Sequence, residues 1–137
     1  MIRPARASDL NFIKSSFFES SRDSAVAASM TPELYRRRWT SLVDRLVARY
    51  GVTVLADDES PDVILGWMLH DGAHLVVYVF VREDFRRQGH ARELLATLPG
   101  AKVYAFRTTN WQRASSRLAP RLTYDPTVAW AEFGAPK

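Results

Sequence analysis

Apolar positions recur along the chain in two rhythms, one of helical spacing and one of strand spacing, and together they predict most of its elements. Residues 2–6 read as a short strand, with Pro4 restricting it to a sheet edge. Ser8 stands where a capping hydroxyl would open a helix from Asp9 to about Ser20, with Leu10, Ile13, Phe17 and Phe18 turned inward. Residues 20–30 are small and polar and read as a loop. Thr31-Pro32-Glu33 joins a capping hydroxyl, a proline at the first helical position and an acid in the first turn. Tyr35, Trp39, Leu42, Val43, Leu46, Val47 and Tyr50 line one face of the helix that follows, and Gly51 is expected to close it.

The second half changes period. Residues 52–56 and 63–69 read as strands on either side of an acidic turn, and Asp71-Gly72 predicts a tight hairpin into a long strand, residues 74–81. That strand is apolar on both faces, as at the centre of a covered sheet. Residues 89–98 form an amphipathic helix with Ala91, Leu94, Leu95 and Leu98 on one side, ended by Pro99-Gly100. A strand at residues 102–106, a helix capped by Asn110 and reaching Ala119, and a last strand at residues 127–133 complete the order β-α-α-β-β-β-α-β-α-β. The expected class is α/β in the broad sense, a mixed sheet with helices on its faces.

Composition narrows the partners. The 137 residues suit one domain, residues 1–137, and 47% apolar with 25% charged residues is a globular balance. With no cysteine, disulfides, thiolate metal sites and a cysteine nucleophile are excluded. No His/Asp/Glu set has metal-site spacing, so no metal is expected. The longest apolar run is far too short to cross a bilayer, and the polar start MIRPARASDL lacks a signal-peptide core, so a cytoplasmic location is expected. A net charge of +4 favours anionic partners without choosing among them.

The choice comes from residues 74–98. An apolar strand runs into a short charged loop with one glycine, Gly89, and a helix follows at once. The first turn of a helix leaves its amides unpaired at the positive end of the helix dipole, which suits an anion. Arg82, Arg86, Arg87 and Arg92 surround that point with positive charge. A pyrophosphate cradle is the expectation.

Arg86, Arg87-Gln88, Gly89, His90 and Ala91 resemble the cofactor motif of the GCN5-related N-acetyltransferase (GNAT) family: Arg or Gln, two residues, Gly, one residue, Gly or Ala. The element order is similar along nearly the whole chain, including the opening IRPARASDL. The length and the Arg/Trp-rich C-terminal half are also similar to short members found in phage genomes. The resemblance implies an acyl-CoA N-acyltransferase fold, with central strands splayed to hold acetyl-CoA. Pantetheine would pair with strand backbone around Val79, Phe80 and Val81. The amides of Arg86, Arg87, Gln88, Gly89, His90 and Ala91 would hold the pyrophosphate, and Asn110 would join the cofactor site. The implied reaction is attack of an acceptor amine on the acetyl thioester.

The proton-transfer positions are less well supplied. Alignment through Val81 puts Leu75 where many members carry a glutamate base, and Ala119 where a tyrosine acid usually sits. Tyr78 on the central strand is a substitute, or a core aromatic. Ser115 and Ser116 could donate to a thiolate, or simply pack in the last helix. His70 and His74 flank the hairpin turn and are candidates for acid–base work, or are simply solvated. His90 could assist phosphate through its ring. Glu19 and Asp23 could bind a cationic acceptor, or be surface charge. Trp67, Trp111 and Trp130 could line the acceptor pocket, or lie in the core. Arg113, Arg117 and Arg121 could meet the cofactor's 3′-phosphate or an acidic acceptor. Arg36-Arg37-Arg38 between Tyr35 and Trp39 reads as a solvated face rather than a nucleic-acid site. A catalytically weak acyl-CoA-binding module is the alternative to an enzyme, and a homodimer is left open.

Overall fold

The structure, a computed structural model, describes residues 1–24, 27–108, 111, 121–127 and 131. The elements in chain order are β1 (Ile2–Pro4), α1 (Leu10–Ser20), α2 (Pro32–Arg49), β2 (Gly51–Ala56), β3 (Ile64–His70), β4 (Leu75–Val81), α3 (His90–Ala96), β5 (Val103–Tyr104) and β6 (Thr123–Tyr124). They build a mixed α/β fold. Among the described residues, six strands lie in sequence order across one sheet, antiparallel from β1 to β4 and parallel from β4 to β6.

Each face of the sheet has its own core. On one, Ile13 and Phe17 of α1 and Tyr35, Trp39, Leu42, Val43 and Leu46 of α2 cover Val54, Trp67, Leu69, Val77 and Tyr78. On the other, Leu94 and Leu95 of α3, followed by Leu98, cover Leu55, Leu65, Met68 and Val76. The helical spacing of these apolar residues is what lets each helix bury one stripe. α2 begins as its sequence requires, with Thr31 Oγ1 accepting the Leu34 N–H at 3.2 Å and Pro32 in the first turn.

Several local expectations are corrected. Ser8 does not cap α1. Residues Ala7–Asp9 form a turn of 3₁₀ helix, and the Asp9 carboxylate accepts the Arg6 N–H at 2.7 Å. Asp9 also takes two hydrogen bonds from the Arg3 guanidinium, at 2.6 and 3.1 Å, in a pair only 9% and 5% exposed. The expected loop at residues 20–30 contains 3₁₀ turns at Ser21–Asp23 and Ala27–Ser29. Gly51 does not end α2 in a left-handed turn; the helix stops at Tyr50, which is already extended, and Gly51 begins β2. The β3–β4 connection is wider than a two-residue turn, because Asp71 Oδ1 accepts the N–H groups of Ala73, His74 and Leu75. β6 lies at Thr123–Tyr124, before the expected last strand; Thr127 is already helical, with Asp125 Oδ1 accepting its N–H at 3.0 Å. The helix expected to reach Ala119 falls largely outside the described residues.

Candidate functional site

The site is set by how β4 changes neighbours along its length. It pairs with β3 throughout, but the register moves from Leu69↔Tyr78 to His70↔Val76, leaving Val77 as an extra residue. Such a bulge shifts the alternation of a strand by one. The shift is visible in the side chains: Leu75 and the consecutive pair Val77 and Tyr78 enter the α1/α2 core, while Val76 enters the α3 core.

The main chain turns with it. Before the bulge, Val76 faces β5 and its carbonyl accepts the Ala105 N–H at 3.1 Å. After the bulge, Arg82 donates its N–H to Leu65 O at 2.9 Å, which makes Gly66↔Val81 a non-hydrogen-bonded pair. By the alternation of an antiparallel ladder, Val79 and Val81 then point their N–H and C=O groups away from β3. Among the described residues, β5 pairs only with Leu75 and Val76, so the sheet splays beyond them. The resulting wedge is lined by Val76, Val77, Tyr78, Val79, Tyr104, Phe106, Thr108 and Trp111 and holds about 230 Å³ of space, including space open to solvent.

The strand feeds directly into the charged loop. After the 3₁₀ turn Glu83–Phe85, Arg87 and Gly89 both adopt left-handed backbone, at φ 66° and 83°. A bulky residue at positive φ is uncommon and costs of order 1 kcal/mol or more, which marks this loop as a constrained one. Gly89 is also the residue before α3, and a Cβ built on it would meet nothing within 4 Å. The open space lies where consecutive amides from Gly89 into α3 have no intrahelical acceptor. Arg86 reaches back, its Nε donating to Val81 O at 3.0 Å, and ties the loop to the end of β4. Gly66 allows the close packing underneath: an added Cβ would stand 2.6 Å from Phe80 O and 3.4 Å from a Leu94 methyl of α3.

No family model and no curated protein sequence matches the chain. Solved structures do. YjaB of Escherichia coli, in its apo form, is 24% identical with a TM-score of 0.55, the match covering 74% of this chain and 65% of that one. A candidate acetyl transferase of Pyrococcus furiosus is 19% identical with a TM-score of 0.57, over 100% and 92% of the two chains. A Corynebacterium glutamicum structure described as histone acetyltransferase HPA2 and related acetyltransferase is 16% identical with a TM-score of 0.56, over 83% and 71%. This is the GNAT acetyltransferase fold. The chain spans just under two thirds of the length of YjaB.

Within the GNAT fold, the residues expected from the sequence fall into three groups. Val79, Val81, Arg86, Arg87, Gln88, Gly89, His90 and Ala91 follow one another from the open strand edge around the loop into α3. Phe80 departs from that pattern: its main chain belongs to the pairing with Trp67, and its ring stacks on Trp67 and meets Phe12. Among the loop side chains, the Arg82 guanidinium sits 5.3 Å over the Phe85 ring, and the His90 ring meets Phe85 edge-on with Nδ1 3.8 Å from Glu93 Oε1.

The proton-transfer candidates are held differently. Leu75 is buried in the α1/α2 core. Tyr78 lines the wedge but is only 6% exposed, stacked 4.5 Å from Phe17. Ser20 Oγ donates to Ser16 O at 2.6 Å, which commits its one hydrogen, so the Tyr78 hydroxyl 2.7 Å away donates to Ser20. Burial pushes the Tyr78 phenol far above its ordinary value and keeps it protonated. Tyr35, beside Ser21, donates to the Phe18 carbonyl and is pushed up to about 12, again by burial. His70 accepts the Gly72 N–H on Nδ1 at 2.9 Å, which puts its proton on Nε2, 2.8 Å from Thr53 Oγ1. His70 and the exposed His74 lie at the far end of β4 from the loop, roughly 20 Å away for a strand of this length.

The remaining candidates separate as well. Trp67 is fully buried and donates its Nε1–H to Ser16 Oγ, so it does not line an open pocket. Glu19 is paired with Arg22 at 3.6 Å, and Arg22 lies over the Phe18 and Tyr35 rings. Arg121 reaches the Leu98 carbonyl at 3.4 Å rather than the loop. Asn110, Arg113, Ser115, Ser116, Arg117, Ala119 and Trp130 lie outside the described residues. Sequence reasoning missed the Val77 bulge, the Arg86 tether and Thr108, whose hydroxyl accepts the Trp111 N–H at 3.2 Å in the manner of a helix cap.

Proposed function

We propose that the protein is an acetyl-CoA-dependent N-acetyltransferase, a single cytoplasmic domain transferring acetyl directly to the amine of an acceptor. One observation carries this reading: the unpaired side of β4 leads without a break into a loop with two left-handed residues. The residues fit the cofactor by their chemistry. Val79 and Val81 offer main-chain donors and an acceptor to the amides of a pantetheine arm, and the amides of residues 87–91 would face an anion beside Arg86 and Arg87, the Arg86 N–H itself being taken by Glu83 O at 3.3 Å. The open space around Gly89 matches the approach of a pyrophosphate.

Acetyl-CoA would supply the activated acyl group. The neutral acceptor nitrogen attacks the thioester carbonyl carbon, a C–N bond replaces the C–S bond, and sulfur leaves as thiolate. The nitrogen must shed one proton and the thiolate must gain one. Leu75 does no proton chemistry, so this reading takes water in the open wedge as the base. Tyr78 stays protonated and holds the strand against α1 through Ser20. A specific observation favours the second reading, an acyl-CoA-binding module with little turnover: Tyr78 aims its only proton at Ser20 rather than into the wedge.

Calorimetry with acetyl-CoA on the wild-type protein and on Gly89→Glu tests the binding half. Strong binding lost in a variant that stays folded, its melting temperature lowered only by the few degrees that a side chain at positive φ brings, is expected; equal affinity in both would remove the loop from the site. Thiol release measured across amines, peptides and aminoacyl compounds separates enzyme from binding module. Binding without turnover on any class would establish the second reading.

A further inference from the structure

The connection between β3 and β4 is held by two side chains that the proposed reaction does not use. Asp71 Oδ1 accepts the N–H groups of Ala73, His74 and Leu75. Gly72, at φ 81°, instead gives its N–H to His70 Nδ1 at 2.9 Å. A main-chain N–H only donates, so Nδ1 must carry a lone pair, and the ring's one proton sits on Nε2, 2.8 Å from Thr53 Oγ1 on β2. This arrangement exists only for the neutral ring. A second proton would set two donors, Nδ1–H and the Gly72 N–H, against each other. The same connection is the hinge of the wedge. His74 O accepts the N–H groups of Lys102 and Val103 at 2.8 and 3.2 Å, where β5 begins. Ala73 O packs so closely on Gly100 that an added Cβ there would stand 2.7 Å away. β5 thus hangs from residues 73 and 74 before it parts from β4.

We propose that His70 is an acid-operated latch on this hinge: as a neutral ring it holds residues 71–74, and once protonated it releases the Gly72 N–H and loosens the attachment of β5. The proposal is independent of the cofactor reading. The surroundings of the ring fix the direction of the effect. On β2 it meets Gly51 and Thr53, neither of which titrates, and its partner in the β4 register is Val76. Among the titratable groups of the neighbouring segments, Arg49 and Tyr50 end α2, Lys102 precedes β5, and the exposed His74 lies 3.7 Å from Asp71. Asp71 is the one whose charge acts on the ring. Burial holds the imidazole below its ordinary value, and the Asp71 charge opposes this without reversing it. The unfolded chain therefore takes up the proton first as pH falls. The stability the latch contributes is complete above the ordinary value near 6.5 and lost as pH falls through the lower folded value.

The test follows ¹⁵N-labelled wild-type protein and His70→Asn from about pH 8 to about pH 5, the range in which histidine titrates. Asparagine at this position keeps an acceptor, its Oδ1 standing where Nδ1 does, and carries no titrating group. Ring ¹⁵N shifts of His70 read its tautomer and its titration. Amide hydrogen exchange, corrected for the intrinsic rate, reads Gly72, Lys102 and, as a marker of the whole fold, Leu46 inside α2. In the wild type, protection of Gly72 and Lys102 is expected to fall roughly two- to tenfold as the ring protonates, as loss of one hydrogen bond does, with Leu46 unchanged. In His70→Asn both should stay level, and the same fall there would overturn the proposal. A ring protonated on Nδ1 at the alkaline end, or Gly72 protection that holds while the ring titrates, would overturn the latch. Loss at Gly72 with Lys102 still protected would overturn its hold on β5. Leu46 falling in step with Gly72 would mean global unfolding and overturn it as well. Should His70→Asn fail to fold, the wild-type titration decides alone.

Discussion

Replacing Gly89 by alanine separates what the loop does for folding from what it does for an anion. The residue sits at φ 83°, where an L side chain is strained by roughly 1–2 kcal/mol. Nothing lies within 4 Å of the added Cβ, so no clash is added to that strain. At about 2.1 cal/mol/K per residue, 137 residues give an unfolding entropy near 0.29 kcal/mol/K, and the melting temperature should fall by roughly 3–7 °C. The methyl group would occupy the space an approaching phosphate needs and should weaken acetyl-CoA binding at least tenfold, about 1.4 kcal/mol. Scanning calorimetry reads the first quantity and titration calorimetry the second. Gly89→Asn is the control for strain, because asparagine enters the left-handed region more easily but still carries a side chain. A melting temperature lowered by more than about 10 °C would refute the claim of open space. Unchanged affinity in a folded Gly89→Ala protein would refute the placement of the anion.

Two further outcomes follow from buried polar groups. Asp9→Asn leaves the Arg3 guanidinium buried without its counter-charge and should cost about 3–5 kcal/mol in urea denaturation. The Arg3 hydrogen bonds hold the Asp9 carboxyl below its ordinary value, so the unfolded chain binds more protons in acid. The stability it contributes is therefore complete above the unfolded value near 4 and lost as pH falls through the lower folded value; an Asp9→Asn protein should show a flatter acid limb, and an identical limb would exclude Asp9 as its source. Tyr78→Phe should lower stability by about 1 kcal/mol through loss of the Ser20 hydrogen bond while turnover is retained. A fall in turnover of a hundredfold at unchanged affinity would instead make the Tyr78 hydroxyl a participant.

The helices and the long strands were legible because their apolar spacing records burial directly. Thr31-Pro32 at the start of α2 and the stripe from Tyr35 to Leu46 are examples. The loop between β4 and α3 was legible too, since a lone glycine among charged residues after an apolar strand marks where the chain leaves the sheet. The wedge was not. A strand buried on both faces has no alternation for a bulge to break, so the extra residue Val77 leaves no mark in the run LVVYVFV. Ser8 and Gly51 misled because each suits a cap, whereas the chain supplies Asp9 and an extended Tyr50 instead. The Arg3–Asp9 pair was hidden for a related reason: two charges six residues apart carry no sign of burial until β1 and the first turn fold against residue 61.

The bulge in β4 has a consequence for how this surface can change over time. Ahead of Val77, side chains interlock with both cores and replacements are costly. Beyond it, Val79 and Val81 offer peptide groups, which every residue except proline supplies alike. A cleft whose contacts are made by the backbone constrains conformation far more than identity. On the proposed function, identity at these positions is then limited by packing, as where Val79 meets the α3 core, and not by the cofactor.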